Sequence, residues 1–425
     1  MSAPLQIDFV APPFAGHLFP LLQLARSLTP EPAAESRVLT TASGLSSVEL
    51  SGQRSVELLP GYDGVVTQIA DTTRRVGSNP YRLLQQLRLN LSLMAQLRDE
   101  LTTLWSTQRP DLVVADFTVP IAGLTARRLG IEWWTGMPTP CALESADGPP
   151  SYLGGWAVKH GWAGRCRDAL GRLTIRLFKR TVHRMFAQQF RDLYVPSVYR
   201  KDGHEVAYSP NRILGFGLRE FEFARKWPDH FEFIGPLTAA PPFPASLPPF
   251  ASDRKHILVT LGTHLPWART RAWTLMQQVA GLMPDCVFHF TDGDPGTLRS
   301  EKHHNLVRVG FIPYCECLHQ YDAAIVHGGT GITYACIEHR VPMLVWPHDY
   351  DQFDHAARVT HHRLGLRLTP TPEAVTRDLQ RLVGEPAAWD GLEKFYRAAT
   401  SACAESRFRS LVLQRGRAGD RGNES

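Results

Sequence analysis

The sequence contains no run of 18 or more apolar residues, so no segment of it is long enough to span a bilayer as a helix. Residues Met1 to Gly16 carry no Lys or Arg ahead of their short apolar run, which leaves no secretory leader pattern and makes a cytoplasmic location the expectation. Cysteine is scarce and scattered: seven residues, at 141, 166, 286, 315, 317, 336 and 403, are too few and too dispersed for a disulfide framework and read as reduced thiols. Cys315 and Cys317 make a C-x-C without a second pair, too little for a zinc site. No repeat of 20 to 50 residues is visible, which excludes a solenoid or propeller. Neither a Walker loop nor the dinucleotide pattern G-x-G-x-x-G occurs, and a Rossmann-type oxidoreductase would need the latter. A net charge of +5 is too small to announce a nucleic-acid partner.

What remains is a chain of 425 residues, 43% apolar and 20% charged, long enough for two or three domains. Short, continuously apolar runs alternate with helical patterns: 7–11, 37–41, 112–115, 257–261, 287–290, 306–309, 323–326 and 343–346. Continuous apolarity at this length fits strands buried on both faces of a parallel sheet, so the fold class is α/β. A crowd of prolines between Pro236 and Pro249 breaks the pattern and divides the chain. The expected organisation is an N-terminal domain over 1–236, a linker over 237–254, a C-terminal domain over 255–395, a helix over 396–414 returning to the first domain, and a disordered tail over 415–425. In open sheets of this kind ligands bind beyond the carboxyl ends of the strands, so chemistry is sought there.

His17 follows the first strand, in Gly16-His17-Leu-Phe-Pro20, just before a helical pattern. A histidine near a helix N-terminus tends to stay neutral and can accept a proton. Asp116 ends the strand 112–115, and a carboxylate bonded to Nδ1 of a histidine fixes its tautomer and stabilises the imidazolium. Ala323-Ala-Ile-Val-His327-Gly-Gly-Thr-Gly331 reads as strand, glycine-rich turn and helix start, whose backbone N–H groups bind phosphate. Asp351 and Gln352 follow the strand 343–346 and suit sugar hydroxyls. Asp351 and His355, with His361 and His362 nearby, lack a convergent third ligand for a metal. Asp292-Gly-Asp294, before Pro295-Gly296, reads as a turn.

This combination resembles the inverting glycosyltransferases of GT-B fold, in which two Rossmann-like domains face each other across a cleft, a group that includes plant UDP-glycosyltransferases and bacterial natural-product glycosyltransferases. The resemblance covers nearly the whole chain. It implies that His17 is the catalytic base and Asp116 its partner. It implies a donor site from Gly16, Thr135, Gly262, Thr263, Phe311, Ile312, His327, Gly329, Thr330, Gly331, Ile332, Asp351 and Gln352. Phe311 falls where an aromatic stacks on the nucleobase, and His327 where a histidine binds the diphosphate. The sequence departs from the plant pattern at Thr330 and Gly331, at Ile332, and at Ala335, where a ribose-binding Glu is usual. The implied donor is a UDP-hexose, UDP-glucose first, with a dTDP-sugar as the alternative, and no metal is required.

In this family the first loops and the region corresponding to 165–202 build the acceptor pocket, which points to Phe14, Phe117, Trp133, Met137 and Trp156 and to a hydrophobic small-molecule acceptor. Between 165 and 202 there are ten Lys or Arg against three acids, a net of +7 that leaves the rest of the chain near −2. The apolar positions there recur at helical spacing, so this is a basic amphipathic segment open to peripheral membrane contact. No nucleic-acid partner is expected, and the chain is read as a monomer or homodimer. A sugar-nucleotide epimerase, or a catalytically idle sugar-nucleotide sensor of the same fold, is the alternative function.

Overall fold

The computed structural model describes residues 4–31, 33–70, 80–238, 247–263, 265–294 and 300–422. The N-terminal sheet holds seven strands: β1 (Leu5–Val10), β2 (Ala34–Thr40), β3 (Arg54–Glu57), β4 (Leu112–Asp116), β5 (Glu132–Met137), β6 (Arg212–Gly215) and β7 (Phe231–Phe233). Their order is β3-β2-β1-β4-β5-β6-β7, every neighbouring pair parallel. The second sheet holds β8 (Lys255–Thr260), β9 (Cys286–Thr291), β10 (Ser300–His303), β11 (Leu306–Val309), β12 (Ala323–Val326), β13 (Met343–Val345) and β14 (Gly365–Arg367), in the order β10-β11-β9-β8-β12-β13-β14. It is parallel except where β10 pairs antiparallel with β11. The two-domain α/β architecture expected from the apolar runs is therefore observed.

Burial explains why these runs are strands. All five residues of β4 and all four of β12 are buried, as a strand with helices on both faces requires. In β1, by contrast, Asp8 is a buried charge. It is matched by Arg37 on β2 at 2.7 Å and by the Trp105 indole N–H at 2.8 Å, and these three hydrogen bonds offset only part of its desolvation, so its pKa stays above the ordinary carboxylate value.

The two halves complete each other. Phe221, from the segment after β6, is buried in the core of the second domain among Tyr334, His355, His362 and Phe395. Glu222 beside it makes a buried ion pair with Arg358 at 2.8 Å, on the helix Gln352–His361. In return, the helix Ala404–Gly422 crosses to the first domain, where Phe408 packs 5.9 Å from Phe9 and 6.3 Å from Trp134. The region read as one helix over 396–414 is split between Gly391–Ser401 and Ala404–Gly422. The expected disordered tail from 415 is instead a continuation of the second helix to Gly422, and its start is tied down where Arg415 pairs with Glu132 at 2.7 Å and donates to the Asp111 carbonyl. Of the proline-rich linker, 239–246 lie outside the described residues.

Candidate active site

Parallel pairing of β1 with β4, Val10 opposite Ala115, brings their carboxyl ends side by side. The chain leaving β1 turns at Phe14 into the helix Ala15–Leu28, so His17 sits in its first turn while Asp116 is the last residue of β4. His17 Nδ1 lies 3.1 Å from both Asp116 carboxylate oxygens. A carboxylate only accepts, so Nδ1 carries the proton and Nε2 is left with its lone pair. Asp116 is itself buried and held by the backbone N–H of Thr118 at 2.9 Å and by the Thr118 hydroxyl. Burial pushes the His17 pKa down, but the Asp116 carboxylate and, across the cleft, Asp351 more than offset it, and the net direction is upward. The direction is opposite to the one expected from the helix N-terminus alone, because the bonded Asp116 carboxylate favours the imidazolium.

Facing this pair is the turn after β12. Gly328 has φ +92°, and a Cβ there would stand 3.0 Å from the Gln352 carbonyl oxygen and from Val345, so the position admits only glycine without rearrangement. His327 is boxed between two further glycines. A Cβ on Gly262 (φ +73°) would come within 2.6 Å of the imidazole and one on Gly329 within 2.4 Å. Gly329 caps the helix Thr330–Glu338, whose first backbone N–H groups point out of the turn as anion donors. The Thr333 hydroxyl is not available there, since it is buried and donates to the Gly329 carbonyl at 2.8 Å. The Ile332 side chain belongs to the core, leaving its backbone N–H to serve a ligand.

A residue not singled out in the sequence joins the two halves. Thr139, just beyond β5, donates its hydroxyl proton to Asp351 at 2.7 Å and receives the Thr330 hydroxyl at 3.1 Å. Asp351 caps the helix Gln352–His361. Gln352 is buried, and its carbonyl oxygen accepts from the backbone N–H of His348 and Asp349 at 2.8 and 3.2 Å, so only its NH2 end is left to offer. Three residues past Asp351, Asp354 accepts from the Tyr152 N–H at 2.8 Å, joining the helix to the loop after β5. Burial, aided by the nearby Asp351 and Glu222 charges, pushes the Asp354 pKa up to about 6 against the Tyr152 N–H and Arg358.

The remaining residues divide. Gly16 has open space around its α-carbon, Thr263 is exposed beside Gly262, and Phe311 stands half-buried beyond β11, 6.5 Å from Tyr314. The Phe117 ring lies 5.7 Å from that of His17, and Phe14 is half-buried at the start of the same helix. Trp156 packs on Gly171 with the Arg167 guanidinium 4.9 Å from its ring. Others are structural. Thr135 is buried, and its hydroxyl accepts from the Ser209 N–H at 2.9 Å, so it does not reach a sugar. Trp133 is buried against Gly123, where any Cβ would collide with the indole, and is core rather than pocket lining. Met137 is fully buried with Leu143, Ile213 and Phe231, and the Ile312 side chain is likewise core. Asp292, the first acid of the D-x-D turn, is held by Arg308 at 2.8 Å.

Residues 273–405 match the family model described as the erythromycin biosynthesis protein CIII-like C-terminal domain. The zeaxanthin glucosyltransferase of Pantoea ananas is 25% identical over 391 residues, 88% of this chain and 87% of that protein. The 4'-demethylrebeccamycin synthase of Lentzea aerocolonigenes is 26% identical over 383 residues, 87% and 89% of the two chains. The crystal structure of the glycotransferase of kitacinnamycin superposes with a TM-score of 0.73 over 97% of this chain and all of the other, at 20% identity.

Proposed function

We propose, from the premise that this chain is a natural-product-type glycosyltransferase of GT-B architecture acting on nucleotide sugars, that it transfers a hexose with inversion to a hydroxyl of a hydrophobic small molecule. UDP-glucose is the favoured donor and a dTDP-sugar the alternative. The observation that carries this reading is His17 bonded to Asp116 at the end of one sheet, opposite the glycine-boxed His327 and Asp351 at the end of the other.

The acceptor hydroxyl bonds to His17 Nε2, which takes its proton as the oxygen attacks the anomeric carbon from the face opposite the nucleotide. A bond forms between that oxygen and the anomeric carbon while the bond to the diphosphate oxygen breaks. Asp116 stabilises the imidazolium, and Thr118 keeps Asp116 in place. His327 and the amides at the start of Thr330–Glu338 stabilise the charge growing on the diphosphate, fixed donors that supply this work without a metal. Asp351 has lone pairs beyond the one Thr139 uses, and these hold sugar hydroxyls together with the Gln352 NH2 group. Phe311 stacks on the base. Phe14, Phe117 and Trp156 supply the apolar acceptor wall, in keeping with a relative named for glucosyl transfer to zeaxanthin.

The test is His17→Ala. Nucleoside diphosphate should bind as before while turnover falls at least about a hundredfold; near-normal turnover would remove His17 from the reaction. A panel of UDP and dTDP donors with an apolar acceptor should release free nucleoside diphosphate only when the acceptor is present, and added EDTA should leave that rate unchanged.

A further inference from the structure

The helix Gly161–Met185 lies on the first domain by a narrow inner edge. Its buried residues are Gly164, Asp168 and Gly171, and Gly171 seats against Pro150 and Trp156. The outer face is unusually apolar. Trp162 is 74% exposed and Leu170 66%, while Leu173, Leu177, Phe178 and Met185 are each half exposed or more. Cys166, Leu170, Leu173 and Leu177 recur at spacings of four, three and four, so they form one stripe along the helix rather than scattered contacts. Single exposed leucines need no explanation, but a stripe of this length on one helix does.

The same face is cationic. Arg165, Arg180 and Arg184 are exposed and take part in no ion pair among the described residues. Asp168, the helix's one acid, is buried and already paired with Arg167 at 2.7 Å. Arg176 and Lys179 turn inward to Glu144 and Glu205. An apolar stripe bordered by arginines that make no ion pair among the described residues, with a tryptophan at one end, complements a surface that is apolar inside and negative outside. A second copy of this chain fits less well, because a two-fold interface would set arginine against arginine. Spanning is excluded for this segment: no helix among the described residues is long and apolar enough to cross a membrane.

We infer that the helix Gly161–Met185 is a peripheral anchor, lying flat on a bilayer surface rich in anionic lipid. Its inner edge touches Trp156, and the loop holding Trp156 reaches Asp354 through Tyr152, so the anchor sits on the outer side of the proposed acceptor wall. Membrane attachment would place that wall at the interface, where an apolar acceptor is concentrated.

The full-length protein is mixed with extruded vesicles of phosphatidylcholine alone or with a third of phosphatidylglycerol, and sedimented. Binding is expected to the anionic vesicles only and to weaken with salt. Removing one exposed arginine, as in Arg180→Gln or Arg184→Gln, should weaken partition about fivefold, and Leu170→Ser with Leu177→Ser at least about tenfold. These positions are exposed, so unchanged melting temperature and unchanged nucleoside diphosphate binding verify folding, and neither readout depends on the transfer reaction. Absence of binding to anionic vesicles, or binding that all these variants retain, overturns the proposal. So does a concentration-dependent dimer in solution that the leucine variants dissolve, which would make a second copy the occupant of the stripe.

Discussion

The Thr139 hydroxyl lies 2.7 Å from an Asp351 carboxylate oxygen, a hydrogen bond made across the cleft between the two sheets. Replacing Thr139 with Val keeps the shape and removes the donor, at a cost of about 1 kcal/mol or more in a site with few alternatives. The expected outcome for Thr139→Val is a kcat/KM about tenfold lower for the nucleotide sugar, with the free nucleoside diphosphate, which has no hexose, binding within about twofold of normal. Calorimetry with UDP beside steady-state kinetics separates the two. An equal loss in both would assign Thr139 to closing the cleft rather than to the sugar.

The His17 pKa is raised, and as the proposed base His17 must be neutral to take a proton. Activity should therefore fall as pH drops through a value above about 6.5, the ordinary histidine pKa. In Asp116→Asn the bonded carboxylate is lost while burial remains, so the acidic limb of kcat/KM should move to lower pH as the maximum rate falls. The same pair acts on stability. Because folding raises this pKa, its stabilising contribution is complete below the unfolded-state value and is lost as pH rises through the folded one.

Gly262 has φ +73° and no room for a side chain against His327. Gly262→Ala should cost about 1–3 kcal/mol through backbone strain and displacement of the imidazole, and weaken nucleoside diphosphate binding at least about tenfold. Gly281→Ala, where nothing stands within 4 Å of the added methyl, is the control and should leave both unchanged or slightly improve stability.

Asp354 is buried, with its pKa pushed up to about 6. Folding therefore favours its protonated form, and ionising it costs stability as pH rises from about 4 to about 6. Asp354→Asn keeps an oxygen for the Tyr152 N–H and removes the charge. The variant should match the native protein near pH 4 and exceed it by about 3 kcal/mol at pH 7, measured by denaturant unfolding across that range. A variant less stable than the native protein at pH 7 would show that the carboxylate's charge is needed against Arg358.

The pair His17 and Asp116 was legible because each ends or follows a strand whose continuous apolarity is plain, and adjacent parallel strands put such ends together. The turn at His327 was legible for the same reason. The region around β5 was not. Glu132–Met137 mixes large aromatics, threonine and glycine, so neither its length nor the direction of each side chain follows from apolarity alone. Alternation sends Trp133 into the core against Gly123 and Thr135 to Ser209, and the residue that reaches Asp351 is Thr139, after the strand has ended between two prolines. The flanking Pro138 and Pro140 were the available signal, since they stop the strand. The polar end of the chain looked unstructured for a related reason: what orders its beginning is the long-range pairing of Arg415 with Glu132.

Phe221 completes the second core while Phe408 completes the first, so the proline-rich segment is a poor place to cut. Chimeras that exchange C-terminal halves between related proteins would need to carry the stretch around 216–223 with the incoming half and keep the native helix Ala404–Gly422 with the resident one. A junction placed in the prolines alone leaves each recombinant partner wearing a foreign plug, and poor expression of such hybrids would reflect mismatched plugs rather than incompatible chemistry.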